Sequence, residues 1–376
     1  MTDKKKVKIP LVGEIISSSG NTFIGIGLGL LAGAILILIS GVNPIYAYSA
    51  LLRGAFGSWS NFTNVLVRSS PLLLGGIGVA LGIKTGIWNI GIEGYMYLGG
   101  IGATLVATMN LNLPPILYIP LCFIVAMLFS GIWGAIPGYL RAYRGVNEVT
   151  CTIMLNYIAI FLTNWIVTGT ALAEKNAYYP MSLPYAENAC LPILTQGTSL
   201  HPGAFIGLFI CLVFFFVLKY TPFGFRTRML GSNPFAAQYA GVNSRKQMVV
   251  IMIIGACLGG LSGAIECTGL RKRLFMEFVT GVGYESVAVA LVAGGNPIGV
   301  IFSALFFSVL KAGGATMSIL TGVSSSMSSV IICLCVIFVI GVGVADAKTI
   351  ARRERKRNAR AAAKLAKANN GKEAVK

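Results

Sequence analysis

The side chains able to do chemistry are few, and they keep company unusual for an enzyme. Asn89, Glu93, Glu148, Asn156, Glu266, Glu285 and Asn296 lie inside or at the edges of long apolar runs. A carboxylate at membrane depth is costly unless it serves a cap, an ion pair or a polar path. Glu93, Glu148 and Glu285 each stand at the start of an expected helix, where the macrodipole favours negative charge, so each reads both as a cap and as the lining of a path. Glu266 lies deeper in its run and is less easily explained as a cap. Asn156 and Asn164 are eight residues apart and so lie near one face of a helix. With Tyr95 and Tyr157 they could join helices or offer hydrogen bonds to a neutral polar solute. The body has no cluster of acids suited to a cation path, and its basic residues gather at segment ends, so a neutral ligand fits better than an ion.

Enzyme chemistry lacks its parts. There is no H-E-x-x-H and no G-x-S-x-G, and the single histidine, His201, sits beside Pro202-Gly203 in a polar loop and reads as solvated. Of eight cysteines only Cys190 falls in a polar loop, and no C-x-x-C pair occurs, so they read as small apolar packers rather than as disulfides or a metal site. No cofactor or metal is expected.

Membrane helices must position these residues. The chain of 376 residues is 55% hydrophobic and 11% charged, against about 25% charged in soluble domains. This predicts an all-α polytopic membrane protein. With about 20 residues per span, ten segments are expected: 23–39, 64–83, 94–109, 117–139, 151–169, 203–219, 248–268, 284–294, 297–317 and 326–344. The net charge of +18 follows the same plan. A basic N-terminal region, 1–20, and a basic tail, 346–376, flank the membrane domain, 21–345. An even number of spans puts both termini in the cytoplasm, together with Arg226, Arg228 and the rest of the 220–247 connection. The loop 170–202 then lies outside, as do Arg271, Lys272 and Arg273. That basic cluster either sits at lipid headgroups or docks an external partner.

Two segments are short or interrupted, the one after Asn89 and the one from Gly283, which ends at Gly294-Gly295-Asn296-Pro297. Broken backbone at membrane depth is tolerated only where it is buried in protein or lines a cavity. The breaks fall at corresponding points of residues 60–169 and 248–344, which predicts an inverted repeat with a path between its halves. Glycines every four residues at Gly25, Gly29, Gly33 and at Gly255, Gly259, Gly263 predict close helix packing within one subunit more than a dimer face.

The 220–247 connection is the most informative stretch. Asn233 can cap a short helix with Pro234 in its first turn, Ala236 and Ala237 allow close approach, and Gly241 can end it. The run Ala236-Ala237, three residues, Gly241, nine residues, Ile251 resembles the coupling loop of ABC importer permeases, with Phe235 in place of the usual Glu and no final Leu-Pro. Asn89-Ile90-Gly91-Ile92-Glu93-Gly94, Asn147-Glu148-Val149, Gly283-Tyr284-Glu285 and Asn296-Pro297 extend the likeness over residues 60–345. The chain resembles the ribose-type permease family of ABC importers, within it the nucleoside branch.

The resemblance implies a permease in a bacterial plasma membrane that carries a neutral polar solute, nucleosides foremost and a monosaccharide such as ribose as the alternative. It implies cytoplasmic ATPase subunits that seat the Asn233-to-Val242 helix, a second and non-identical permease chain, and an external substrate-binding lipoprotein. The chain itself has no G-x-x-x-x-G-K-[ST] to cradle nucleotide phosphates. The rival from another class, a secondary transporter driven by an ion gradient, would leave that helix without a task. Binding of nucleic acid by the tail is not expected, because the tail lacks aromatic residues for stacking.

Overall fold

The structure, a computed structural model, describes residues 11–345 other than 176. The expectations for 1–10 and 346–376 lie outside the described residues. In chain order the helices are α1 Leu11–Ile39, α2 Pro44–Phe56, α3 Trp59–Thr85, α4 Ile92–Ala107, α5 Pro115–Arg144, α6 Glu148–Gly169 and α7 Gly203–Tyr220. Then follow α8 Pro222–Ser232, α9 Pro234–Tyr239, α10 Ser244–Ile265, α11 Val282–Val292 and α12 Pro297–Thr321, with α13 Ser326–Ala345 last. A π-helical turn, Glu266–Arg271, extends α10. Every one of the ten expected segments is a helix. Eight helices among the described residues are long and apolar enough to span a bilayer, and α4 and α11 are too short to do so. The chain is an all-α polytopic membrane protein.

The helix α2 was not expected. It has no apolar run to announce it, yet Asn43 caps it through the Ile45 N–H at 2.9 Å and Pro44 occupies its first turn. It packs on α12, where the Leu51 carbonyl meets the backbone of Gly313 too closely for a side chain at that glycine.

Two compact units divide the chain. In the one made of residues up to Gly41 and from Ser329 onward, Gly25 and Gly29 of α1 lie against Val339 and Cys335. In the other, Val42–Ser328, the short helices are exchanged between the long ones. The helix α4 follows α3 in sequence but packs chiefly on α10 and α5, whereas α11 follows α10 but packs on α3. The approach is close because glycines meet: a Cβ on Gly99 would run into the backbone of Gly260, and Gly255, Gly259 and Gly263 face Gly78, Tyr95 and Met96. Gly25, Gly29, Gly255, Gly259 and Gly263 therefore pack within one subunit, as their spacing predicted.

The two ends of this unit differ in construction. At one end α8 rests on the last residues of α3, and the Gln247 amide donates to the Thr227 hydroxyl at 3.0 Å. At the other, the long 170–202 connection is tied down by backbone hydrogen bonds. The Ser182 N–H donates to Leu274 at 2.8 Å, Tyr185 to Lys272 at 3.2 Å and Leu191 to Thr268 at 3.0 Å.

Candidate functional site

The first helix break begins where α3 ends at Gly86, whose φ of +74° is a left-handed cap. Residues 87–91 are not helical, and their freed backbone groups need partners in a dry setting. Asn89 supplies one, its side-chain oxygen accepting from the Gly91 N–H at 3.2 Å. Asn156, projecting from α6, supplies two more: its oxygen accepts from the Gly94 N–H at 3.0 Å and its amide donates to the Ile90 carbonyl at 2.9 Å. The same amide reaches the Tyr284 hydroxyl of the second break at 3.4 Å.

The second break is held by Glu93. Its carboxylate accepts from the Gly281 N–H at 2.7 Å and the Gly283 N–H at 2.6 Å, at the opening of α11. Glu93 was expected to cap its own helix or line a path. It caps a different helix instead and is only 2% exposed, so its charge is held by the N–H groups and dipole of α11. A Cβ on Gly283 would collide with the Glu93 backbone, so glycine is required there. The two breaks are thus one hydrogen-bonded structure.

The other expected residues take varied places. Glu148 is not the cap of α6, because Asn147 fills that role through the Val149 and Thr150 N–H groups at 2.9 and 3.3 Å. Glu148 instead pairs with Arg141 at 3.2 Å and accepts from the Trp88 N–H at 3.4 Å, anchoring the start of the first break. Tyr95 is buried, and its hydroxyl has no hydrogen-bond partner among the described residues. Tyr157 is 55% exposed on α6, and Asn296 caps α12 through the Ile298 N–H at 3.1 Å. Glu285 does not cap α11: both its oxygens meet Lys311 at 2.7 Å.

Replacing Asn156 with Leu is expected to leave the Ile90 carbonyl and Gly94 N–H unsatisfied, at about 1–3 kcal/mol for each buried group. Replacement with Asp, which keeps the acceptor but loses the donor, should cost less than Leu. Thermal unfolding of the detergent-purified chain checks the order; a Leu variant as stable as the parent would contradict this geometry.

Glu285 and Lys311 border a cavity of about 400 Å³ between α3, the π turn, the 277–280 segment, α11 and α12. Its other charged groups are Arg68, Glu266, Arg271 and Glu277, with Glu266 paired to Arg271 at 3.2 Å. Lys311 and Arg68 correct the expectation that basic residues avoid the middle of spans. Each is a lone cation inside an apolar run, a signal visible in the sequence.

At the opposite end, Asn233 caps α9 through the Phe235 and Ala236 N–H groups at 3.0 and 3.1 Å, and Pro234 stands in its first turn. Ala237 is buried, Ala236 faces out, and Gly241 turns the chain with φ +78°. Phe235 and Tyr239 are 76% and 95% exposed, with Arg226 and Arg228 exposed on the neighbouring α8.

The basic cluster is largely neutralised, since Arg271 pairs with Glu266 and Arg273 with Glu174 at 3.2 Å. Lys272 is exposed, with a left-handed φ of +54°.

His201 also departs from expectation. It is 1% exposed, packed on Gly269 of the π turn, and its Nδ1 accepts from the Gly203 N–H at 3.1 Å. Burial lowers its pKa to about 4 from 6.5. A depressed folded-state pKa means stability that is complete above about pH 6.5 and is lost as pH falls toward 4, on the order of 3 kcal/mol for this shift. His201→Gln is therefore expected to flatten the dependence of melting temperature on pH in that window.

Long spans, discontinuous helices and an exposed two-helix connection define a polytopic membrane protein of transporter type. Residues 61–340 match the family described as branched-chain amino acid transport system / permease component. The chain belongs to this permease family. It is 36% identical to the guanosine ABC transporter permease protein NupP of Bacillus subtilis, over 83% of this chain and 90% of that protein. Against the nucleoside ABC transporter permease protein NupB of Lactococcus lactis the identity is 32%, over 84% and 85%. The glucose ABC transporter permease protein TsgB13 of Haloferax volcanii is 30% identical, over 81% and 82%.

Proposed function

We propose that this chain is the permease subunit of an ABC importer that passes nucleosides across a bacterial cell membrane. The observation that carries the reading is the 36% identity spanning nine-tenths of a guanosine permease. In this reading both termini and the α8–α9 connection face the cytoplasm. Hydrolysis of ATP belongs to separate subunits, which receive α9 with its exposed Phe235 and Tyr239. A second, different permease chain completes the path, and a binding lipoprotein delivers solute to the end formed by 170–202 and 272–276. The membrane domain is 21–345, and 60–169 and 248–344 form an inverted repeat. The exchange of α4 and α11 between α10 and α3 supports that repeat, because each short helix occupies the corresponding place on the other half.

A sugar substrate is the second reading, favoured by the likeness to a glucose permease. Uptake of radiolabelled nucleoside and pentose by cells with and without the gene separates the two. Nucleoside uptake should fall with the gene removed; loss of pentose uptake alone would overturn the nucleoside reading.

A further inference from the structure

The charges around the cavity at Glu285 and Lys311 are arranged for a particular kind of ligand. Three cations, Arg68, Arg271 and Lys311, face three carboxylates, Glu266, Glu277 and Glu285, so the cavity is balanced in charge. A free anion or cation would gain from one set and lose to the other. A neutral group whose hydroxyls donate and accept at once can use both, because a carboxylate takes two hydroxyl protons while the neighbouring ammonium or guanidinium donates to the same oxygens.

The remaining wall mixes polar Asn64, Thr280 and Ser308 with apolar residues, among which Pro71, Leu72, Phe278 and Val282 offer cover to a ring. At about 400 Å³ the space falls within the roughly 300–1,000 Å³ of small-molecule sites. Its frame is also irregular in the manner of functional sites. The π turn contributes Glu266 and Arg271, and Glu277 holds a left-handed φ of +53°. The 281–283 backbone beside it is fixed by Glu93, which makes Glu93 a positioning residue for this cavity.

We infer that this cavity is a solute site that takes the vicinal diol of a ribose ring, with Glu285 and Lys311 as its polar clamp and the apolar residues of the wall against the ring. The inference rests on the nucleoside reading above and specifies where in this chain the sugar is held.

The test uses the assembled transporter in nanodiscs and saturation-transfer NMR, with adenosine and 2′,3′-dideoxyadenosine as probes. Adenosine should bind, with its ribose protons saturated most strongly, and the dideoxy compound should bind about tenfold more weakly, the scale of losing hydrogen bonds to charged groups. Ser308→Phe, which fills the cavity from α12, should abolish the adenosine signal. Thr280→Trp, which fills it from the exposed rim, is read beside it in case the buried change prevents assembly. The double change Glu285→Gln/Lys311→Gln preserves net charge and should bring the two probes to nearly equal affinity.

Adenosine binding unchanged in an assembled filled variant, or an unchanged preference for the diol in the double variant, would overturn the assignment. Nucleoside uptake by the unaltered transporter is measured in parallel. Its absence defeats the transport reading itself, whereas uptake with binding insensitive to these changes defeats only the cavity.

Discussion

Glu93→Ala is expected to be the most damaging single substitution in the chain. It removes the acceptor for two N–H groups, part-buried on Gly281 and buried on Gly283, and the negative charge at the N-terminus of α11. Each orphaned donor costs about 1–3 kcal/mol, and loss of the charge–dipole contact adds up to about 2 kcal/mol, for a total near 5 kcal/mol. Water cannot step in easily, since the carboxylate occupies a site 2% exposed. Glu93→Gln keeps one good acceptor oxygen and should cost roughly half as much. Glu93→Asp keeps the charge but shortens the reach by one methylene across contacts of 2.6 and 2.7 Å, and should fall between parent and Gln. Melting temperatures of the purified chain give the order directly. Equal melting for Ala and parent would mean that the second break is held by something other than this carboxylate.

The second large effect is expected at the opposite end. Phe235→Ala/Tyr239→Ala removes two aromatic side chains that are 76% and 95% exposed on α9, while leaving the Asn233 cap and buried Ala237 in place. Aromatic anchors at protein interfaces commonly cost 2 kcal/mol or more each when truncated, about thirtyfold in affinity per residue. Under the proposed function the double variant should fold and reach the membrane like the parent, yet fail to co-purify with the ATPase subunits and lose uptake. Full retention of ATPase subunits would show that the docking surface lies elsewhere, with exposed Arg226 and Arg228 the next residues to change.

Segments and local caps were legible in the sequence because they rest on local signals. Apolar length locates all ten expected helices, and Asn-Pro at a helix start is read correctly at Asn233 and would have revealed α2 at Asn43. What a single sequence cannot carry is pairing across distance. Glu93 lies at the start of α4 and satisfies every local rule for capping it, but its partners are 188 and 190 positions away. Asn156 likewise has the composition of helix glue, and only the fold reveals that it satisfies the backbone of the first break as well as reaching the Tyr284 hydroxyl. His201 misled for the complementary reason: a polar loop suggests water, but this loop is pinned over the π turn and excludes it.

The exchange of short helices also sets a schedule for biogenesis. The chain emerges in order, so α4 leaves the ribosome with α5, one of its two main packing partners, close behind, but well before α10, the other, whose last residue is Ile265. At about 5–20 residues per second the gap is roughly ten to thirty seconds. During that interval a sixteen-residue helix has α5 beside it but not α10, and Glu93 in its first turn has no α11 yet made to hold it. Completion of the first half is therefore a late event, coupled to translation of the second, and a ribosome stalled before residue 283 leaves a chain with its central carboxylate unclaimed.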